Sequence, residues 1–446
     1  MRRRVFLSLP AAAYAASADL YKRLFAAIDR IDVLDTHEHI LPEAERAKLP
    51  IDFFTLAGHY LIDDLSSAGL PAADRERMEK PDVPTKDKFR AFNEYWRYAK
   101  ATGYGEALRI AIRDIYGIDE ISDRTIEKIN QAIRDRNKPG LYREILKKRS
   151  RIRYAINDEY WQPNPTAVDP EFFLLARKFD WFAAPSTPEG LHRLEPLAGM
   201  DIPNVPALKK ALEKHFVAGV KLGMVTAKST MAYQRDLHFA VTSEADAQTD
   251  FEKLMRGEGV VTDENRRLDR RPFRALSNHL FHHLVQLAEA HNIPVQIHTG
   301  MQAGNGNYIE HTQPALLTNL FLRYPRVQFD IFHIGFPYSG EATVLGKMFP
   351  NVWVDYCWMH IISPSAARAA LHQMLDSVPA NKIFGFGGDY RYPELSYAHL
   401  VMARRNIARA MAERVEDGAC TETEAVETAR WLLYDNPARM FLKRNG

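Results

Sequence analysis

Short apolar runs rich in β-branched and aromatic residues recur along the chain, and most are followed by stretches with helical periodicity. Strands that alternate with helices are typical of βαβ units joined in a parallel sheet. The pattern predicts eight strands, at Ile31–Asp35, Arg151–Ile156, Phe179–Ala183, Phe216–Leu222, Ile293–His298, Val327–Phe332, Val352–Tyr356 and Ile383–Gly387. Eight such units predict an α/β fold that closes into a (β/α)8 barrel of the TIM type.

Two long helical segments interrupt this alternation. One follows the first strand, over about residues 50–150, and the other follows the fourth strand. Insertions after barrel strands lie on the active-site face, so we expect both to shape a pocket. Helices at about 397–440 end the chain, where Thr421 and Glu424 predict a capping box.

Composition excludes several classes of function. The chain has 446 residues, a net charge of +2 and no basic run interleaved with aromatic residues, so neither a nucleic acid nor a membrane surface is indicated as a partner. Its 2 cysteines, Cys357 and Cys420, cannot form a disulfide framework. We expect a small-molecule substrate and no integral membrane segment. The sequence does not decide between a monomer and a homo-oligomer.

The first 18 residues have the features of an export signal. Arg2, Arg3 and Arg4 precede a short apolar stretch, Val5–Ala16, and small-x-small cleavage sites follow. The arginines with Val5 and Phe6 resemble a twin-arginine motif. We therefore expect export to the periplasm or secretion, with one barrel domain over residues 25–446.

The chemistry begins in the segment from Asp35 to His39. An apolar strand ends in Asp35, and His37-Glu38-His39 follows at once. On an extended backbone, residues two apart point the same way, so His37 and His39 can face one ion. Neutral imidazole suits zinc, iron, nickel or manganese.

Three further residues strengthen this interpretation. His298, His333 and Asp389 each follow an apolar run that predicts a barrel strand. The C-terminal ends of barrel strands meet at one mouth, so these side chains should lie close to the His-x-His pair. Such a set at four strand ends is not expected from core packing alone.

These residues resemble the metal site of the amidohydrolase superfamily. The runs after His298 and His333 resemble its amidohydrolase-related group, with the nodulin/FluG-type N-terminal domain, and the Asp389 motif also resembles uronate isomerases. The resemblance implies that His37, His39, His298 and Asp389 hold a divalent metal, with zinc preferred and manganese or iron as alternatives. It implies one or two ions. Asp389 would also be the general base, and His333 would bind a second ion or polarise the substrate.

Three more residues are candidates for contact with substrate. Lys221 ends the predicted fourth strand, where two-metal members of the superfamily carry a carboxylated, bridging lysine; the alternative is a pair with Asp389 or with a substrate carboxylate. Arg391 lies two residues beyond Asp389 and is suited to bind a carboxylate through two hydrogen bonds. Gln302 lies on a glycine-rich loop after the fifth strand.

The favoured function is metal-assisted hydrolysis of an amide or ester in a small polar substrate, in which metal-activated water attacks the carbonyl and Asp389 accepts the proton. The alternative on the same barrel is a sugar-acid isomerase of the uronate type, or a non-oxidative decarboxylase. A non-catalytic binding protein is the remaining alternative, and the intact set of ligands argues against it.

Overall fold

The structure is a computed structural model, and it describes residues 11–158, 168–259 and 273–442. Eight parallel strands form one sheet whose spatial order follows the chain. They are β1 Val33–Glu38, β2 Ile152–Asp158, β3 Phe173–Lys178, β4 Thr226–Ser229, β5 Val295–Ile297, β6 Phe329–Ile331, β7 Val352–Asp355 and β8 Ile383–Phe384. The predicted (β/α)8 barrel is confirmed.

The barrel is closed by hydrogen bonds between the ends of β8 and β1. The N–H of Asp389 donates to the carbonyl oxygen of His37 at 2.8 Å, and the N–H of His39 donates to the carbonyl oxygen of Tyr390 at 2.9 Å. The buried carboxylate of Asp35 accepts from the N–H of His37 at 3.1 Å and from that of Gly388 at 3.0 Å. Asp35 therefore joins the two strand ends through their backbones rather than by orienting an imidazole.

Helices cover the outside of the barrel, and helices also make up both insertions. The segment after β1 contains α2 Glu43–Arg46, α3 Phe53–Ala57, α4 Leu61–Ser67, α5 Ala72–Glu79, α6 Thr85–Ala99, α7 Gly103–Tyr116, α8 Ile126–Arg136 and a π-helix, Arg143–Arg149. Between β3 and β5 lie α9 Asp180–Ala183, α10 Pro188–His192, α11 Glu195–Ala198, α12 Val205–Lys221, α13 Glu244–Met255 and α14 Arg274–Ala290. Later helices are α15 Thr318–Arg323, α16 Ser339–Met348, α17 Met359–Ile362, α18 Pro364–Ser377, α19 Pro393–Glu416, α20 Glu422–Arg430 and α21 Asn436–Phe441.

The insertion after β1 has its own apolar core, which continues into the mouth of the barrel. Phe53 and Phe92 pack within the insertion, and the same cluster of buried side chains contains Trp358 and Tyr390 from the barrel. Contact along this shared core holds the insertion over the C-terminal ends of the strands.

Two strand predictions are wrong. The segment Phe216–Leu222 ends helix α12, whose N-terminus is capped by Asn204 and whose Leu208, Leu212 and Phe216 are buried at helical spacing. The strand itself, β4, is only four residues long and lies downstream. The segment Phe179–Ala183 is a helical turn that follows β3, so the third strand begins and ends earlier than predicted.

Helix α1, Ala11–Ile28, packs against α19 on the outside of the barrel. Leu20, Leu24 and Ile28 are buried there, and the guanidinium of Arg409 lies 4.1 Å from the ring centre of Tyr21. The arginines of the predicted export signal lie outside the described residues. None of the helices in the described ranges is long and apolar enough to cross a membrane. The capping box of Thr421 and Glu424 is present.

Candidate metal centre

Four histidines and one aspartate meet at the mouth of the barrel. The Nε2 atoms of His37 and His39 are 3.3 Å apart, and His39 Nε2 lies 3.1 Å from Asp389 Oδ1. On the other side, His333 Nε2 lies 3.1 Å from His298 Nδ1 and 3.9 Å from Asp389 Oδ2. The structure thus brings together all five residues that the sequence predicted.

Main-chain carbonyl groups orient three of the imidazoles. His39 Nδ1 donates to Asp158 O at 2.7 Å, His298 Nε2 donates to Met301 O at 2.9 Å, and His333 Nδ1 donates to Cys357 O at 2.7 Å. A carbonyl oxygen only accepts, so each of these ring nitrogens carries the proton. In a neutral ring the opposite nitrogen then carries the lone pair that can bind a metal ion. This is the outer-shell arrangement that is usual for metal-binding histidines.

Burial keeps the imidazoles of His37, His298 and His333 neutral. It lowers the pKa of His37 and His298 well below the usual value and lowers that of His333 to about 4. Burial opposes the charge of Asp389, but the surrounding imidazoles of His37, His39 and His333 together outweigh burial, and the pKa of this carboxyl lies well below its usual value. The site therefore offers neutral nitrogen donors and one ionised carboxylate.

This donor set fits a divalent transition metal. Two nitrogen ligands of one tetrahedral zinc ion, each about 2.0–2.1 Å from it, are separated by about 3.3 Å. The distance between His37 Nε2 and His39 Nε2 is 3.3 Å. Imidazole nitrogen with carboxylate oxygen suits zinc, iron and manganese alike, so the donors do not choose among these ions.

Two groups of three ligand atoms occupy this mouth. His37, His39 and Asp158 form one, and His333, Cys357 and Asp389 form the other; within each, the ligand atoms lie within 4.8 Å of one another. Sequence reasoning missed Asp158 and gave Cys357 no role. Asp158 ends β2, and extending the predicted second strand by two residues would have placed it beside the other strand-end ligands.

Lys221 is not in the site, which corrects the prediction. It is the last residue of α12 and is exposed. The lysine of the fourth strand is Lys228, which is fully enclosed, with its Nζ 3.3 Å from the ring centre of Phe332. Burial lowers the pKa of Lys228, and the carboxylate of Asp389 acts in the opposite direction.

Gln302 lies on the loop after β5, where its amide donates to the carbonyl oxygen of Ala232 at 3.0 Å. Its Oε1 is buried and has no hydrogen-bond partner among the described residues. The same loop is tied to α4, because the N–H of Gly304 donates to Asp63 at 2.9 Å. Contact between Gln302 and a substrate stays a prediction.

His59 and Tyr60 connect the insertion with the site. The hydroxyl of Tyr60 donates to the main-chain carbonyl oxygen of Asp389 at 2.6 Å, and the ring of His59 stacks on that of Tyr60 at 4.1 Å. Burial lowers the pKa of His59 to about 3, and the charges of Asp389 and Arg391 act on the same imidazole. Arg391 is thus near the site, and its contact with substrate stays a prediction.

Comparison with known proteins agrees with this geometry. Residues 235–442 match the family model described as Amidohydrolase. The predicted resemblance to the amidohydrolase superfamily is confirmed. Protein fluG of Emericella nidulans is 25% identical over 220 residues, which cover 48% of this chain, and the match spans 25% of that longer protein.

Two full-length similarities are to isomerases. The uronate isomerase of Phenylobacterium zucineum is 21% identical over 96% of this chain and 94% of its own length. The crystal structure of glucuronate isomerase from Caulobacter crescentus superimposes with a TM-score of 0.77 at 19% identity, over 100% of this chain and 98% of that one. The structural likeness establishes the shared fold.

Proposed function

We propose that this chain is a metal-dependent isomerase that converts a small sugar acid between its aldose and ketose forms. The observation that carries the proposal is the position of His59. Its Nδ1 is buried and has no hydrogen-bond partner among the described residues, while Asp389 and Arg391 both act electrostatically on its ring. A base, a neutral proton carrier and a guanidinium therefore adjoin one metal centre.

Each of these groups has one task in the reaction. Arg391 binds the substrate carboxylate, which a planar guanidinium can do with two parallel hydrogen bonds. Asp389 accepts the proton from C2, exchanges it with solvent and delivers a proton to C1, and the neutral imidazole of His59 carries the hydroxyl proton from O2 to O1. The net reaction moves two hydrogen atoms within the substrate, so it needs no oxidant and no water.

The metal ligands complete the site. His37, His39, His298 and Asp389 would hold the ion, which, when bound, polarises the carbonyl and hydroxyl oxygens of the substrate. His333 lies beside His298 at 3.1 Å, so its Nε2 adjoins the same set of ligands. The full-length similarity to a uronate isomerase supports the same reaction class.

A hydrolase is the second candidate, because the family matched by residues 235–442 is described as an amidohydrolase. In that reaction Asp389 would accept a proton from water rather than from carbon. Hydrolysis requires a scissile amide or ester, whereas isomerisation requires a hydroxyl next to a carbonyl, so substrate panels separate the two.

The test uses protein loaded separately with zinc, manganese and iron. D-glucuronate and D-galacturonate are incubated in deuterated water and followed by proton NMR, with D-glucose as a control that lacks the carboxylate. We expect ketose that carries solvent deuterium at C1, no reaction with glucose, and no reaction with Asp389→Asn. Hydrolysis of amides or esters without any ketose would favour the hydrolase, and release of carbon dioxide would indicate a decarboxylase.

We further propose that the protein is exported, on the basis of the N-terminal arginines and the apolar stretch behind them. Fractionation of cells that express the full chain tests this proposal. Retention in the cytoplasm with the first 18 residues intact would contradict it.

A further inference from the structure

We infer that Cys357 is a metal ligand, and that with His333 and Asp389 it forms a sulfur-containing half of the metal centre. The inference rests on the proposed metal dependence and adds a residue that the His and Asp pattern alone does not include. It also names the chemical class of the ion, because sulfur ligands select zinc, cadmium and cobalt over magnesium and manganese.

The backbone holds Cys357 at the end of β7 from two sides. Its N–H donates to the carboxylate of Asp355 at 2.7 Å, and its carbonyl oxygen accepts from His333 Nδ1 at 2.7 Å. The second contact leaves Nε2 as the unprotonated nitrogen of the neutral His333 ring, able to bind an ion. The ligand atoms of Cys357, His333 and Asp389 lie within 4.8 Å of one another.

The backbone beyond β8 leaves room for the side chain of Cys357. A Cβ on Gly387 would lie 2.8 Å from the Cβ of Cys357 and 3.0 Å from its Sγ, closer than real contacts allow. The backbone of the β8 end therefore approaches the thiol directly, and Asp389 follows two residues later. Because Cys357 is fully buried, the thiol meets only protein groups and whatever ion enters the site.

Asp389 lies between the two groups of ligands. Its Oδ1 is 3.1 Å from His39, which belongs with His37 and Asp158, and its Oδ2 is 3.9 Å from His333, which belongs with Cys357. The first group offers only nitrogen and oxygen, and the second adds sulfur. One carboxylate can thus serve a harder and a softer position in the same mouth. Binding at the softer position releases the thiol proton to solvent, because the thiolate is the ligand.

Spectroscopy of cobalt-loaded and zinc-loaded protein tests the inference without reference to turnover. We expect a near-ultraviolet thiolate-to-cobalt charge-transfer band in wild type, its loss in Cys357→Ser, and its retention in Cys420→Ser. Cys420 is the matched control, because it is the other free cysteine and lies outside both groups of ligands. Circular dichroism verifies that both variants are folded.

X-ray absorption at the zinc edge of the wild type needs no variant. We expect a sulfur scatterer at about 2.3 Å. Bound zinc with only nitrogen and oxygen neighbours, or a cobalt band that survives Cys357→Ser, would overturn the role of Cys357 and leave the proposed isomerase standing. Failure to bind any of these ions would overturn both.

Discussion

Tyr60 reaches from the insertion into the barrel and donates its hydroxyl to the main-chain carbonyl oxygen of Asp389 at 2.6 Å. Asp389 has a φ of 59°, in the left-handed region that costs energy for residues other than glycine, and Tyr60 itself has a φ of 72°. The hydrogen bond stabilises the turn that aims the carboxylate at the imidazoles. A residue from the inserted helices thus supports the position of the proposed base.

Replacement of Tyr60 by Phe tests this support. The Asp389 carbonyl oxygen loses its donor, and we expect the free energy of unfolding to fall by about 1–3 kcal/mol. We also expect turnover to fall more than affinity for substrate. Tyr104→Phe is the matched control, because the Tyr104 hydroxyl is buried with no hydrogen-bond partner among the described residues and should be removed at almost no cost. Equal effects of the two variants would count against the role of Tyr60.

The centre itself is tested by His37→Ala and Asp389→Asn. We expect either change to lower activity by about 10³-fold or more, because each removes a proposed metal ligand and Asp389→Asn also removes the proposed base. Elemental mass spectrometry should show reduced metal content in His37→Ala, with the fold retained. His192→Ala is the control, since that side chain is exposed and pairs with Glu195 at 3.1 Å. Near-wild-type activity in either site variant would refute the assignment.

Arg391→Lys separates charge from geometry at the proposed carboxylate contact. Lysine keeps the charge but lacks the planar pair of donors, so we expect KM for a uronate to rise by about tenfold to a hundredfold while kcat changes less. Arg405→Lys is the control, because Arg405 pairs with Glu106 at 3.4 Å near the surface. An unchanged KM would exclude Arg391 from substrate binding.

Lys221, which precedes β4, and Lys228, which lies within it, should behave oppositely. Lys221→Met should leave activity and metal content unchanged, because Lys221 is exposed at the end of a helix. Lys228→Met removes a buried cation from among the carboxylates of Asp158, Asp330 and Asp389, and we expect a loss of about 3 kcal/mol or more in stability. Chemical denaturation of the metal-free proteins measures both. A strong effect of Lys221→Met would contradict the placement of β4.

Acid should destabilise the metal-free protein through its buried histidines. Burial lowers the pKa of His360 from 6.5 to about 4, so the folded state keeps this imidazole neutral while the unfolded chain binds a proton. The stabilisation is complete above pH 6.5 and is lost as the pH falls toward 4, by about 3 kcal/mol for this group. His360→Gln should therefore lose less stability than wild type between pH 7 and pH 4.5, whereas the exposed variant His192→Gln should follow wild type.

The later half of the barrel could be predicted from sequence because its strands are apolar runs, and three of these runs are followed by a histidine or an aspartate. His298, His333 and Asp389 lie within five residues of the ends of β5, β6 and β8, so one pattern locates both the strand and its candidate site residue. The short strand β4 is not an apolar run with a histidine or an aspartate behind it. Its four residues are all buried, and the neighbouring helix α12 has a stronger apolar pattern. The fourth strand was therefore predicted on this helix, and Lys221 was selected instead of Lys228.

The remaining site residues depend on three-dimensional proximity. His59 and Tyr60 lie in an insertion whose position over the barrel follows from packing against Trp358 and Tyr390, with ring centres of Tyr60 and Trp358 4.5 Å apart. Cys357 offers no motif, and its proximity to His333 follows from the parallel register of β6 and β7. Periodicity cannot report such contacts, because they join residues from separate elements.

The seam between the first and last strands has a consequence for how the enzyme is made. His37 and His39 are synthesised long before Asp389 and the turn that the seam secures. A growing chain on the ribosome therefore carries the histidines before it carries Asp389, and the proposed set of metal ligands is incomplete. The set is completed only when the last strand pairs with the first. Under the proposed metal dependence, the compartment in which that pairing occurs supplies the metal. Under the predicted twin-arginine route, which carries folded proteins, that supply is cytoplasmic and the ion leaves the cell interior already enclosed.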